Sequence, residues 1–231
     1  MPTTLITGAN RGLGLEFARQ YAADGWEVIA TCRDPQAATD LRALGARVSI
    51  HRLDVSDFAA IAALGRELAD ASIDVLIANA GTMNAKPGMR ADAVDERAWA
   101  ADFHTNAMAP LACAAAFLPH VARSRQRKLL AMGSGLGSIG GNTVGGQYAY
   151  RSTKAALNAV WHSFAIDHPE VIAVVLSPGA LKTDMTRNFG ERWEALPGPA
   201  GNIAGLRRVI AGFTQADSGG FFNFAGKSLS W

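Results

Sequence analysis

Cysteine is scarce in this sequence: Cys32 and Cys113 are the two in 231 residues, and no CxxC occurs. Two thiols cannot frame a disulfide scaffold, so reduced side chains and a cytoplasmic setting are expected. Charge of one sign is also lacking, since 22 Lys+Arg against 20 Asp+Glu leaves +2. That balance supplies no basic arm or stripe and argues against a dedicated nucleic-acid binder. Long hydrophobic runs are missing. Stretches such as residues 171–176 are far too short to cross a bilayer, so no membrane span is expected. Met1-Pro2-Thr3-Thr4 runs directly into Leu5-Ile6-Thr7-Gly8 with no basic n-region or cleavage site, which predicts no secretory signal. His51, His104, His120, His162 and His168 show no ligand spacing, so no catalytic metal is expected. No repeat, low-complexity tract or linker interrupts the chain.

What is present is a balanced composition, 49% hydrophobic and 18% charged, that fits one folded domain with a buried core. Short β-branched runs alternate with longer helical patterns, as βαβ crossovers require. Strands are predicted over residues 3–7, 27–31, 47–53, 73–78, 128–132, 171–176 and 221–224. Helices are predicted over 14–23, from 34 onward, over 56–69, 92–123 (broken near Pro110), 148–167 and 203–212. Asp34 is expected to cap the second helix, with Pro35 in its first turn, and Ser56 the third. Residues 178–201, rich in Gly and Pro, read as an excursion over a site. The fold class expected is α/β: a single-domain Rossmann-type doubly wound, mostly parallel sheet with helices on both faces.

Thr7-Gly8-Ala9-Asn10-Arg11-Gly12-Leu13-Gly14 falls between the first strand and the first helix. Glycines there bring backbone N–H groups close to a pyrophosphate, and the helix N-terminus adds donors and partial positive charge. The loop has no GK[ST] ending, which excludes a P-loop hydrolase. Its Gly-x3-Gly-x-Gly spacing also differs from the general dinucleotide fingerprint.

Tyr150 and Lys154 stand four apart in a helical pattern and so share one face. A tyrosine hydroxyl titrates near 10. A neighbouring ammonium favours the phenolate and is expected to lower that value, fitting Tyr150 for proton exchange with a carbonyl oxygen. Tyr148 stands six from the lysine, on another face. Trp161, Phe164 and Leu157 share a face of the same helix and read as core or subunit contact.

The loop spacing, Asn79-Ala80-Gly81, Tyr150-Arg151-Ser152-Thr153-Lys154 and Pro178-Gly179 follow in the order found in the short-chain dehydrogenase/reductase family, which this sequence resembles over residues 3 to 185. Gly145-Gly146-Gln147-Tyr148-Ala149-Tyr150-Arg151, the run 217–222 and Trp231 resemble its C-factor-like or sniffer-like carbonyl-reductase branch. The resemblance implies catalytic roles for Asn106, Ser134, Tyr150 and Lys154, with Asn106 supporting a water relay to the lysine. It implies cofactor contacts from Gly8, Asn10, Arg11, Gly12, Leu13, Gly14, Arg33, Asp54, Val55, Asn79, Ala80, Gly81, Tyr150, Lys154, Pro178, Gly179 and Thr183. Met132-Gly133-Ser134 resembles the family's Ser-Ser pair with glycine in the first place. Ser134, at the strand's carboxyl end, is the better match for steadying the substrate oxygen; Ser138 is the alternative, or it satisfies backbone groups.

An acid at the end of the second strand would hydrogen-bond the ribose of NAD. In family register that position is Cys32, followed by Arg33, and Arg11 lies in the loop; both arginines suit a phosphate, so NADP(H) is expected over NAD(H). Asp34 nearby complicates this reading. The function implied is hydride transfer between NADP(H) and a small carbonyl or alcohol substrate. A nucleotide-binding signalling protein of C-factor type is the alternative. A lipase-type hydrolase is disfavoured because neither Ser134 nor Ser138 lies in Gly-x-Ser-x-Gly. Met185, Phe189, Trp193 and Leu196 indicate an apolar substrate pocket. Alanines and aromatics on several faces of helices 92–123 and 148–167 indicate a homodimer or homotetramer.

Overall fold

The computed structural model describes residues 1–85 and 91–231, and of Asn188 and Phe189 only the backbone. Seven strands form one sheet in the order β3-β2-β1-β4-β5-β6-β7, with every pair parallel. They are β1 Thr3–Ile6, β2 Glu27–Cys32, β3 Val48–Arg52, β4 Val75–Ala78, β5 Lys128–Met132, β6 Ile172–Ser177 and β7 Phe221–Asn223. The helices are α1 Gly12–Ala23, α2 Thr39–Arg42, α3 Phe58–Glu67, α4 Glu96–Phe103, α5 Ala109–Ala122, α6 Tyr148–Asp167, α7 Glu191–Glu194 and α8 Pro199–Gly212. The doubly wound α/β expectation holds.

Side chains alternate across a strand, and here the alternation feeds two cores. Leu5, Leu76, Leu129 and Val175 face Phe117, Leu157 and Trp161 on one side of the sheet. Their neighbours Ile6, Ile77, Leu130 and Val174 face Phe17, Leu206 and Ile210 on the other. β4 and β5 are buried throughout, which is why they read as unbroken apolar runs. Each core holds a fully buried aromatic, Trp161 or Phe17, and truncating either to alanine would cost about 3–5 kcal/mol.

Local chemistry corrects two expectations and details a third. Asp34 caps no helix: its Oδ1 accepts from the N–H groups of Gln36 and Ala37 in a turn, and α2 begins only at Thr39. The cap of α3 is Asp57, which accepts from Ala60 N, whereas Ser56 bonds back to Asp54. The long helix breaks near Pro110 as expected, through the five-residue π-helical segment His104–Met108. Pro110 follows at the second position of α5.

β1 is flanked by β2 on one side and β4 on the other, so crossovers leave in opposite directions at this point. Open sheets carry their ligand crevice there, outside the carboxyl ends of the strands.

Candidate active site

A cleft of about 840 Å³ opens at those carboxyl ends, toward the upper end of the roughly 300–1,000 Å³ usual for ligand sites. Its floor is Gly8, Asn10, Arg11, Gly12 and Leu13 after β1, with Asn79, Ala80 and Gly81 after β4. Cys32, Arg33 and Asp34 close one end with Asp54 and Val55, and Thr183, Asp184 and Met185 cover it. Gly14, Tyr150, Lys154, Pro178 and Gly179, also expected at the cofactor, do not line this cleft among the described residues.

Close packing shapes the loop. A Cβ at Gly14 would stand 2.4 Å from Gly8 O and 2.6 Å from Asn79 Nδ2, so only glycine lets α1 start this close to the sheet. Gly12 has φ +56° and faces Thr183. No side chain caps α1, so the first N–H groups of a twelve-residue helix are left for a ligand. Asn79 braces the loop: Nδ2 donates to Thr7 O at 2.9 Å and to Gly8 O at 3.2 Å. The Thr7 hydroxyl accepts from Asn79 N and Ala80 N, both at 3.0 Å, joining the β1 and β4 ends.

Positive charge at the cleft is partly paired. Arg11 bonds Asp184 at 3.2 Å across the opening. Asp54 is held below the usual carboxylate range by hydrogen bonds from Ser56, with Arg33 contributing charge. Burial raises the Cys32 thiol, so the β2 end offers a neutral group where an acid would favour an unphosphorylated ribose.

Beyond Gly81 lies the second group. Ser134, separated from β5 by Gly133 alone, accepts from Leu136 N at 3.2 Å, and its hydroxyl acts on the Tyr150 phenol, favouring its ionised form. Gly133 has to be glycine, because a Cβ would meet Val175 Cγ1 at 2.5 Å; this explains the missing first serine. Ser138 accepts from Gly141 N and donates toward Trp231 O, so it satisfies backbone groups. Three α6 side chains tie down the segment after β5: Lys154 Nζ donates to Met132 O at 2.8 Å, Arg151 to Leu136 O at 3.2 Å and Asn158 to Gly137 O at 3.3 Å.

Burial pushes the Tyr150 hydroxyl up to about 12, with the Ser134 hydrogen bond opposing and the Asp102 carboxylate adding to it. Burial likewise lowers Lys154 to about 8, against the Asp102 charge. This corrects the expected lowering of Tyr150 by the lysine. Lys154 Nζ is turned to Met132 O and stands 5.7 Å from the Tyr150 ring centroid, so desolvation wins and the phenol stays protonated.

Asn106 sits inside the π segment, a local irregularity often found at functional sites. Its Oδ1 accepts from Thr82 N at 2.8 Å, while Nδ2 donates to Thr82 O at 2.9 Å and Thr153 Oγ1 at 3.2 Å. The Asn106 side chain thereby fixes the Thr82 backbone and the Thr153 hydroxyl. Pro178 O accepts from Asn202 Nδ2 at 2.7 Å, which sets the direction of the excursion and returns Thr183 to Gly12. Trp193, expected in an apolar pocket, instead donates to Thr183 O at 3.1 Å, and Lys182 lies 4.1 Å from its ring centroid. Met185 lines the cleft, Leu196 is partly buried, and the Phe189 side chain lies outside the described residues. Sequence reasoning missed Asp102, whose signal was a carboxylate one turn before Asn106.

A family model described as short chain dehydrogenase matches residues 2–194. C-signal of Myxococcus xanthus is 38% identical over 161 residues, 69% of this chain and 93% of that protein. The NADPH-bound carbonyl reductase from chicken fatty liver has a TM-score of 0.88 at 31% identity, covering 100% of this chain and 99% of its own. The carbonyl reductase Sniffer of D. melanogaster also reaches 0.88 at 31% identity, covering 100% of both chains. Sequence and fold agree on one assignment: the chain belongs to the short-chain dehydrogenase/reductase family of oxidoreductases, with C-signal and Sniffer among its relatives.

Proposed function

We propose that the protein is an NADP(H)-preferring carbonyl reductase or alcohol dehydrogenase, with Tyr150 as its general acid/base. The observation that carries this reading is the placement of Tyr150 and Lys154 one turn apart on α6, with Ser134 acting on the phenol, next to a cleft built from a glycine loop.

The residues fit a dinucleotide. The uncapped N-terminus of α1 and the Gly8–Gly12 backbone would hold its pyrophosphate, with Gly14 allowing the approach. Asp54 and Val55 would flank the adenine. Arg33, with Arg11 when released from Asp184, would take a ribose phosphate; the neutral Cys32 imposes no repulsion. Asn79, Ala80, Gly81, Pro178, Gly179 and Thr183 would frame the nicotinamide half. When bound, the cofactor donates or accepts hydride. Tyr150 gives its proton to the carbonyl oxygen in reduction and takes one back in oxidation. Ser134 steadies the same oxygen and aligns the phenol. Lys154 supplies a positive charge near the ring and would contact the nicotinamide ribose, while Asn106 fixes the Thr82 backbone between them.

Cys32 and Cys113 are free and buried, which suits a reducing, cytoplasmic setting. Exposed Phe103, Met108 and Leu111 on α4, the π segment and α5 fit a homodimer or homotetramer. The C-signal similarity favours a second reading, a nucleotide-binding signalling protein with little turnover. A panel of aldehydes, ketones, quinones and steroids, followed by loss of NADPH absorbance, separates the two. Reduction of a panel member supports the enzyme; NADPH binding without any turnover supports the signalling reading.

A further inference from the structure

Asp102 is fully buried in the last turn of α4, and the mechanism above gives it no part. Its carboxylate gathers donors from the segment that follows Gly81. Thr82 Oγ1 donates to it at 2.8 Å, Asn84 N at 2.8 and 3.0 Å to its two oxygens, Asn84 Nδ2 at 2.9 Å and Ala85 N at 3.1 Å. All of these are neutral donors, and two are backbone amides that no sheet or helix uses. Asn106 grips the same segment from the next turn, through Thr82 N and O. Thr82 is thus held by its amide, carbonyl and hydroxyl at once. The segment is a wall of the cleft, since Gly81, Thr82 and Asn84 line it. It also abuts the reactive amine: a Cβ on Gly81 would stand 3.8 Å from Lys154 Nζ.

We propose that Asp102 is a positioning residue of the active site, anchoring at residues 82–85 the wall that abuts Lys154. This rests on the reductase reading. The titratable groups facing Lys154 are Tyr150 on its own helix and Asp102 on α4, while β5 presents the Met132 carbonyl and the loop after β4 presents Gly81. The charge acts on both reacting groups in one direction, since a nearby carboxylate favours the ammonium over the amine and the phenol over the phenolate. An aspartate held by several N–H donors can do this where an amide could not: Asn in its place would turn an NH2 toward groups that also donate.

The test compares wild type, Asp102→Asn and Asp102→Glu in reduction of phenanthrenequinone by NADPH across pH. Asp102→Asn is expected to lower kcat at least tenfold and to move the alkaline limb of the pH profile down by about one unit. Asp102→Glu keeps the charge but displaces the carboxylate, so kcat should fall with the limb in place. An unmoved limb in Asp102→Asn, or wild-type turnover in either variant, overturns the proposal. If Asp102→Asn does not fold, the Asp102→Glu pattern decides. A readout free of turnover separates this from the reductase reading: the chain has five lysines, and Lys154 is assignable in lysine 15N spectra by comparison with Lys154→Met. Its titration midpoint should drop in Asp102→Asn, and an unchanged midpoint contradicts the proposal. Should wild type reduce no quinone, the reductase reading loses support while the lysine titration still decides Asp102.

Discussion

Arg11 Nη1 and Asp184 Oδ2 meet at 3.2 Å across the opening of the cleft, linking the glycine loop to the excursion after β6. Both side chains are largely exposed, 64% and 47%, so the pair is worth about 0.2–1 kcal/mol at most. It nevertheless occupies one of the two arginines proposed for the cofactor phosphate. Asp184→Asn should free Arg11 and tighten NADPH by a small factor, up to about fivefold. Titration by protein fluorescence checks this; weaker binding would show that Asp184 organises the loop rather than competing for Arg11.

Arg33 is the second arginine, and it is not ion-paired at the cleft in the described residues. Arg33→Ala should erode a preference for NADPH over NADH. A charge-assisted phosphate contact is worth about 1.5–3 kcal/mol, so the loss should be roughly tenfold to over a hundredfold. Paired titrations of both cofactors measure it. Tighter NADH binding in the unmodified protein would move the role to Asp34, which stands free of helix capping and lines the same end of the cleft.

Lys154 is a stability liability as well as a reactive group. It is 5% exposed and its ammonium is held down from 10.5 to about 8. The unfolded chain therefore binds more protons between these values, and stability rises with pH through that window. Below pH 8 the cost of the buried charge is fully present. Lys154→Met should raise stability at pH 7 by about 1–3 kcal/mol, with the gain fading as pH rises from 8 and gone above 10.5. Thermal unfolding at the two pH values checks it, and a lower Tm at pH 7 would contradict the sign.

Leu111 shows how far the sequence could be read. The apolar helix that carries it sends Phe117 and Val121 inward, yet leaves Leu111 and Met108 exposed beside Phe103. Short β-branched runs and longer helical patterns revealed the strands and long helices, because a sheet buried on both faces demands apolar runs such as β4 and helices to cover it. β5 and α6 match the expected bounds to the residue. Caps were less legible: Asp34, Ser56 and Asp57 are all good capping residues, and only the tertiary path decides which one caps. The π segment was invisible because nothing in the sequence pattern of His104–Met108 sets it apart, and the bonds its Asn106 makes reach to Thr82. Asp102 was hidden for the same reason. The Tyr150 environment misled since a spacing of four gives a shared face but not where Lys154 points.

The exposed apolar group on α4–α5 predicts association. Sedimentation at micromolar concentration should give at least twice the 24.3 kDa of the chain, and Leu111→Asp should shift the protein toward monomer. A monomer in the unmodified protein would refute the assembly.

The central claim is that Tyr150 transfers the proton, and replacing it with phenylalanine tests this most directly. Tyr150→Phe removes one hydroxyl and keeps the ring packing. On any carbonyl that the wild type reduces, turnover should fall by roughly 10²–10⁴, with NADPH affinity little changed because phosphate and adenine are held elsewhere. Tyr148→Phe, in the exposed first turn of α6, is the matched control and should stay within about threefold of wild type, as surface changes remote from a site do. Wild-type turnover in Tyr150→Phe would contradict the assignment, whatever the glycine loop binds.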